Sequence, residues 1–434
     1  MTARRVVVTG LGPISAIGIG KIAFLEGLRN GVVGIDRISA FDPSGFRSQI
    51  AAEIKDFRCA DYVPKNYRKS IKVMARDIEL AVAGADQAVR DAGLVTKGIN
   101  PDAPQVDPSR LGVNIGAGLI CADLNELSYA LAASVGDGKF SLAKWGKEGM
   151  NNLTPLWLLK YLPNMLACHV TIVHDAQAPS NTITCADASS QLAIGEAFRT
   201  IVRDCADICL CGGVESKLNL MGLLRQDLLG RLCRTHNDTP KTAVKPFDAN
   251  REGSAIAEGG AVITLEDYEC ARKRNAKIYG ELIGVGASFG TSDFIKPEED
   301  GKAISMSIER ALADAGVAAT DVDLVVGFAV GTKEHDQAEA IAIHKVLGDV
   351  PVTSVKGQIG FNGAGSGAID VVVALLAISE GFIPATINCE NIDPACPVNV
   401  VRKQREAKVN VVVTLNYSLS GGQTGALVFK RYQG

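Results

Sequence analysis

The chain has 434 residues, 47% of them hydrophobic and 21% charged, with a formal net charge of −3. That length suits two domains or one large α/β assembly with a sizeable core, and the near-neutral balance gives no footprint for nucleic acid. The 11 cysteines are scattered without a C-x-x-C pair, so no zinc site is expected, and buried free thiols in a reducing cytoplasm are. Cys205, Cys209 and Cys211 are read as such buried thiols. Arg4 and Arg5 lead straight into an apolar strand rather than a secretory leader. No apolar run is read as reaching the roughly 18 residues that span a membrane. A soluble, cytoplasmic protein is therefore expected.

Arg5–Gly10 (RVVVTG) reads as a buried strand followed by a tight turn, Gly10-Leu-Gly12. The turn is not a dinucleotide fingerprint, because the third glycine position holds Ser15. A basic segment with Lys65, Arg68, Lys69 and Lys72 runs into a helix predicted over Met74–Ala92. Leu111–Gly118 reads as a second strand with a glycine-rich end. Ile183–Ala186 reads as a strand end and Ala188–Val202 as a helix, with Ala193, Ile194, Ala197, Phe198 and Ile201 on its inward face. Asp187 stands at the turn between them, where the free N–H groups and the dipole of the helix favour negative charge. Asp207–Glu215 (DICLCGGVE) reads as a central strand. Asp248, Arg251 and Glu258 lie in an apolar context and are expected to form a buried, paired network. Glu266–Lys277 is a charged connection, after which βα alternation resumes over Ile278–Gly434.

The stretch Asn181–Ala197, NTITCADASSQLAIGEA, resembles the nucleophile elbow of the β-ketoacyl-acyl carrier protein synthases, and the resemblance extends over nearly the whole chain. Family members read roughly T-A-C-A-S-G-x-x-A-I-G-E-A, with the cysteine seven residues before the isoleucine. Counting back from Ile194 gives Asp187, and Cys185 falls two residues early. The Lys245–Ala261 block matches the family well, with Ser254 in place of an aromatic. The first histidine motif corresponds to Val326–Glu339, where Thr332, Asp336 and Glu339 hold the register and Phe328 takes the histidine position. The second corresponds to Ser354–Gly367, with Lys356 and Gly360 kept and Phe361 at the histidine. In the last motif, Asn416–Thr424, Gly421 and Gly422 are kept and Ser420 replaces the gating aromatic.

The resemblance implies an α/β, thiolase-like fold of two similar halves in a five-layered α-β-α-β-α arrangement, divided as residues 1–268 and 269–434. It implies that Lys65, Arg68, Lys69 and Lys72 face an acidic acyl carrier protein, and that Pro155–Ser180 contributes to a dimer interface and acyl pocket. No cofactor or metal is implied. Decarboxylating condensation needs a nucleophile, donors for the malonyl carbonyl and an oxyanion hole, and phenylalanine can neither donate a hydrogen bond nor carry a proton. Asp187 is read as a helix N-cap, worth about 1 kcal/mol over alanine. The dipole is expected to lower its pKa and so weaken it as a nucleophile. Lys356 and Ser420 are expected to line the same site, with the N–H of Ser420 directed into it. His335 is placed further out. His169 and His174 are read as structural, and Ser189 and Ser190 as helix residues without a base.

These readings point to a ketosynthase-family protein without condensing activity, similar to the chain-length-factor subunits of polyketide synthases. Its partners would be an active ketosynthase in a heterodimer, an acyl carrier protein and an acyl chain. The alternatives are an enzyme of altered chemistry using Asp187, or a homodimeric protein that binds acyl chains or a carrier protein.

Overall fold

The computed structural model describes residues 4–291 and 295–433. In its first half, β1 (Val6–Ser15) is followed by α1 (Arg76–Asp91), β2 (Leu111–Ala117), α2 (Met165–His174), β3 (Ser180–Ile183), α3 (Ser189–Val202), β4 (Ile208–Ser216) and β5 (Ile256–Asp267). The second half repeats the series with β6 (Gly280–Phe289), α4 (Lys302–Ala315), β7 (Leu324–Val326), α5 (Lys333–Leu347), β8 (Pro351–Thr353), α6 (Ser366–Glu380), β9 (Val411–Tyr417) and β10 (Gln423–Lys430). The strand orders are the same, β1-β5-β4-β2-β3 and β6-β10-β9-β7-β8. So are the senses of pairing: antiparallel for the first two pairs of each series and parallel for the last two. Val6–Val8 of β1 also pair antiparallel with Gly280–Leu282 of β6, which joins the halves edge to edge.

Helices α3 and α6 touch strands of both halves, whereas α1 and α2 cover the outside of the first sheet and α4 that of the second, where α5 joins it in one apolar cluster with β7, β8 and β9. That gives five layers. The α3 face read from the sequence is buried and shares one apolar cluster with Ile369, Val372, Val373 and Leu376 of α6. Burial on all sides explains a departure from the sequence reading. Gly363–Glu380 is an 18-residue helical run apolar enough to cross a membrane, yet it lies inside the fold, where an all-round apolar surface is what the core requires.

Other corrections concern local geometry. Gly10 and Gly12 do not form a turn; both lie within β1. A Cβ at either would come within 2.1 Å of a backbone carbonyl of α1, that of Ala88 or of Gly84, so the glycines allow the helix to approach. β3 stops at Ile183, and Ala186–Ala188 form a single 3-10 turn. Cys209 and Cys211 are buried thiols, but Cys205 is exposed in the loop after α3.

Asp248, Arg251 and Glu258 are all buried, but in two networks rather than one. Arg251 donates to Asp393 at 2.6 Å and to the Thr332 and Lys333 carbonyls, while Asp248 accepts from the N–H groups of Asn250 and Asn391. Glu258 instead takes two 2.8 Å bonds from Arg76 of α1.

Candidate functional site

At the β3–α3 turn Ala186 has φ of 50°, a left-handed conformation that costs a non-glycine residue roughly 1–2 kcal/mol. The closing bonds come from Ser189, whose Oγ accepts the Cys185 N–H at 2.8 Å and lies 2.5 Å from the Ala186 carbonyl. Asp187 is therefore not the cap of this helix; no side chain caps α3. Its carboxylate is 4% exposed and accepts the N–H of Leu419 at 2.9 Å. Burial raises its pKa, with Glu215 adding to the shift and Lys217 and Arg231 opposing it. The expected lowering by the helix dipole gives way to loss of solvent. Ser190 ties α3 to α6 by accepting the Ala368 N–H at 3.0 Å. The Cys185 thiol is pushed up by burial alone, the opposite of what activates a thiolate.

Asp187 opens on a cavity of about 190 Å³ whose charged lining is Glu215, Lys217, Arg225 and Arg231, with Ser420 at one side. Lys217, just past the end of β4, donates to Glu215 at 2.7 Å, and the second Glu215 oxygen accepts the Ala364 N–H at 2.7 Å. Arg231 donates to the Leu419 carbonyl at 2.5 Å and to the Ser420 hydroxyl at 3.2 Å. His335 is buried too, and not further out: its Nε2 lies 3.1 Å from the same carbonyl and its Nδ1 3.1 Å from the Thr332 hydroxyl. Burial lowers the His335 pKa to about 4, so the ring is neutral near pH 7 and donates through Nε2. Leu419 is thus clamped at both backbone atoms. The Ser420 N–H does not enter the cavity as a free donor, because it bonds the Ser418 hydroxyl at 3.2 Å.

The positions that the resemblance gives to the histidines form a buried aromatic cluster. Phe328 and Phe361 are buried with ring centroids 6.2 Å apart, and Tyr417 meets Phe328 edge-on at 5.1 Å. Lys356 does not line the cavity with Asp187. It lies behind Phe328, its ammonium 5.5 Å from that ring centroid and 2.5 Å from Asp370, with both charged side chains fully buried. Burial lifts the Asp370 carboxyl to about 6. Two acids of α5 hold the loop that carries Phe328. Glu339 accepts the N–H groups of Phe328 and Ala329 at 2.8 Å and the Tyr417 hydroxyl at 3.0 Å. Asp336 accepts those of Val330, Gly331 and Phe247. Lys217, 4.9 Å from the Phe361 ring centroid, bridges the charged and aromatic sides, and so does His335, whose carbonyl accepts the Tyr417 hydroxyl at 3.0 Å.

Sequence reasoning named Asp187, Phe328, Phe361 and Ser420, which the fold brings together, but missed Lys217, Arg225 and Arg231 and took Glu215 only as the end of a strand. The usable signal was the pair of charges, Glu215 and Lys217, two and four residues after Gly213 at the end of an apolar strand. Elsewhere, Lys65, Arg68, Lys69 and Lys72 are exposed on a 3-10 segment, Lys65–Val73. Tyr67 from that segment bonds His169, while His174 bonds Thr96, and both histidines are buried. Leu119, Tyr129, Leu142, Leu156, Leu158 and Leu228 are large apolar side chains left exposed.

Among the described residues, Cys233, His236 and Glu252 bring a sulfur, a nitrogen and an oxygen within 4.8 Å of one another. Lys245 stands 3.2 Å from His236 Nε2. A lysine only donates, so Nε2 holds the lone pair and Nδ1 the proton. In that tautomer the nitrogen facing Cys233 and Glu252 carries the proton.

Comparison with known proteins fits this geometry. The "Beta-ketoacyl synthase, N-terminal domain" profile matches residues 3–271 and the "Beta-ketoacyl synthase, C-terminal domain" profile residues 279–390. The 3-oxoacyl-[acyl-carrier-protein] synthase 2 of Coxiella burnetii is 33% identical over 436 residues, covering 99% of each chain. The ishigamide ketosynthase/chain length factor structure superposes with a TM-score of 0.85 at 30% identity, over the whole of both chains. A type II polyketide ketosynthase in complex with its acyl-carrier protein superposes with a TM-score of 0.82 at 26% identity, over 99% of this chain and all of that one. The doubled five-layer arrangement is accordingly the thiolase-like fold. The chain belongs to the β-ketoacyl synthase family.

Proposed function

We propose that the chain is a non-condensing, chain-length-factor-like member of this family, serving fatty-acid or polyketide biosynthesis as the partner of an intact ketosynthase. The observation that carries this reading is a complete scaffold around a chemically closed site: Asp187 at the elbow, and Phe328 and Phe361 packed together in the core. Losing the nucleophile of a cooperative set commonly costs about 10⁴–10⁶ in rate, and the two phenylalanines supply no replacement donor. On this reading, residues 1–268 and 269–434 work as its two halves. The exposed apolar residues between Leu119 and Leu158 form the face for the partner subunit. Lys65, Arg68, Lys69 and Lys72 meet an acidic acyl carrier protein, and the acyl chain runs in the partner's tunnel. Similarity to a ketosynthase/chain length factor and to a ketosynthase that binds its carrier protein supports this.

The test is co-purification with intact ketosynthases and acyl carrier protein, read by native mass spectrometry. A one-to-one complex with an intact ketosynthase is expected. Condensation of acyl- and malonyl-carrier proteins by this chain alone at ordinary ketosynthase rates would end the proposal. A homodimer that ignores every ketosynthase offered would favour an acyl- or carrier-binding protein instead.

One observation favours a second reading. Asp187 has a raised pKa inside a charged cavity, which suits an acid or base of altered chemistry. Under that reading Asp187→Asn abolishes a turnover on carrier-protein thioesters, and unchanged turnover removes it.

A further inference from the structure

Two short segments, residues 231–236 and 251–254, lie side by side. Leu232 and Ser254 form a parallel bridge, closed by the Cys233 N–H on the Ser254 carbonyl and the Ser254 N–H on the Arg231 carbonyl, each at 2.8 Å. Gly253 has a φ of 121°, and a Cβ there would come within 2.6 Å of the Leu232 carbonyl carbon, so glycine lets the segments meet. That approach sets Glu252 beside Cys233 and His236.

Cys233 Sγ lies 3.6 Å from His236 Nδ1, and Glu252 Oε2 lies 3.7 Å from the same nitrogen. Bonds of about 2.3 Å from zinc to sulfur and about 2.0–2.1 Å to nitrogen and oxygen, at tetrahedral angles, would put sulfur and nitrogen about 3.5 Å apart and nitrogen and oxygen about 3.4 Å apart. The three atoms thus already span one face of such a tetrahedron, slightly expanded. Thr235 Oγ1, 2.9 Å from Nδ1, 3.8 Å from Sγ and in contact with Glu252, stands at the fourth corner. A thiolate, a carboxylate and a neutral imidazole cancel the charge of a divalent ion, which limits the penalty for burying it. Cys233 is buried, while the His236 and Glu252 side chains reach solvent and leave a way in.

We propose that Cys233, His236 and Glu252 form a site for a thiolate-accepting divalent metal ion of the zinc type, with the Thr235 hydroxyl or a water as fourth ligand. The site does not rest on the partner role proposed above. On binding, the Cys233 thiol releases its proton to solvent, and sulfur, Nδ1 and a Glu252 oxygen each share an electron pair with the metal. The Nδ1 proton is replaced by one on Nε2, so Lys245, whose ammonium bonds Nε2 at 3.2 Å, turns out to water. Lys245 is partly exposed and competes with the metal from across the ring. A C-x-x-H pair completed by a distant glutamate escapes a reading that looks for C-x-x-C pairs. The bound ion ties residues 251–254 to the segment whose Arg231 holds the Leu419 carbonyl.

The experiment titrates Co²⁺ and then Zn²⁺ into the purified, reduced full chain after dialysis against a chelator. One equivalent of Co²⁺ is expected to give the near-ultraviolet charge-transfer band of a cysteinate–cobalt bond, and one equivalent of Zn²⁺ to bleach it. Mg²⁺ should not bleach it, because a hard cation prefers oxygen ligands. Cys233→Ser should remove the band and weaken Zn²⁺, read against a chromogenic chelator, by more than about 100-fold, beyond what loss of an outer partner costs. Lys245→Met should tighten Zn²⁺ by about tenfold, which a cysteine that merely packs would not produce. The proposal fails if the band is absent, if it survives in Cys233→Ser, if Mg²⁺ bleaches it, or if Lys245→Met leaves the zinc affinity unchanged. If Cys233→Ser does not fold, Glu252→Ala, at the most exposed ligand, takes its place and must weaken Zn²⁺ at least about tenfold.

Discussion

Phe328, Phe361 and Tyr417 meet edge to edge without solvent, whereas a short way off Asp187, Glu215, Lys217 and Arg231 surround an open cavity. Both regions hold positions that the resemblance assigns to the family's catalytic set. The aromatic side is ordered by shape and apolar burial, with the buried acids of α5 holding the loop beneath it. The charged side is ordered by pairing, which responds to protons and to ions that enter. One wall is therefore packed shut and the other keeps a charged cavity.

The largest expected effects lie on the sealed side. Lys356→Met leaves Asp370 buried without the cation that pairs it and should cost about 3–5 kcal/mol, whereas the double change Lys356→Met, Asp370→Leu should recover most of that. Urea unfolding of the three proteins checks it; equal losses for single and double variants would mean that packing, not charge, dominates there. Phe328→Ala should cost a similar 3–5 kcal/mol, and a loss below 1 would show that the cluster is not close-packed.

A pH series reads both sides, and variants apportion it between them. Burial lifts Glu339, on the aromatic side, from 4.5 to about 8 and Asp77, behind the charged cavity, from 3.8 to about 7. In that window the folded chain keeps protons that the unfolded chain has released, so stability falls as pH rises. Below about 6.5 the buried His335 and His174, lowered to about 4, act in the opposite sense and offset Asp336 and Asp370, each raised to about 6. Between pH 6.5 and 8.5 unfolding free energy should drop by about 2 kcal/mol. Glu339→Gln and Asp77→Asn should each flatten part of the slope. A stability that rises across this range would contradict the assignment.

The α/β alternation and the inward face of α3 were legible in the sequence, because each is a local pattern. What escaped depends on distant chain. Gly10-Leu-Gly12 looks like a turn, but its glycines answer to α1, more than 70 residues on. His335 reaches Leu419 across 84 residues, and Arg231 reaches it across 188. Asp187 has a favoured capping residue type in a favoured place, yet the left-handed Ala186 and the Ser189 hydroxyl close the turn first. Lys217 was hidden because a charge past a strand end ordinarily means solvent, and here the strand ends inside the fold.

The smallest effect discriminates most finely, and it concerns Asp187. Its carboxylate accepts the Leu419 N–H, while Arg231 and His335 hold the carbonyl of the same residue. Asp187→Asn keeps an oxygen for that N–H and sheds the desolvation of a buried charge, so stability should change by less than about 0.5 kcal/mol. Asp187→Ala leaves the N–H unpaired and should cost roughly 1–2 kcal/mol. Hydrogen exchange locates the loss. If Asp187 supports the Leu419 loop, the alanine variant exchanges the Leu419 amide faster while the first turn of α3 stays protected. If it supports the helix, the amides after Ser189 lose protection first, and the clamp on Leu419 holds without it.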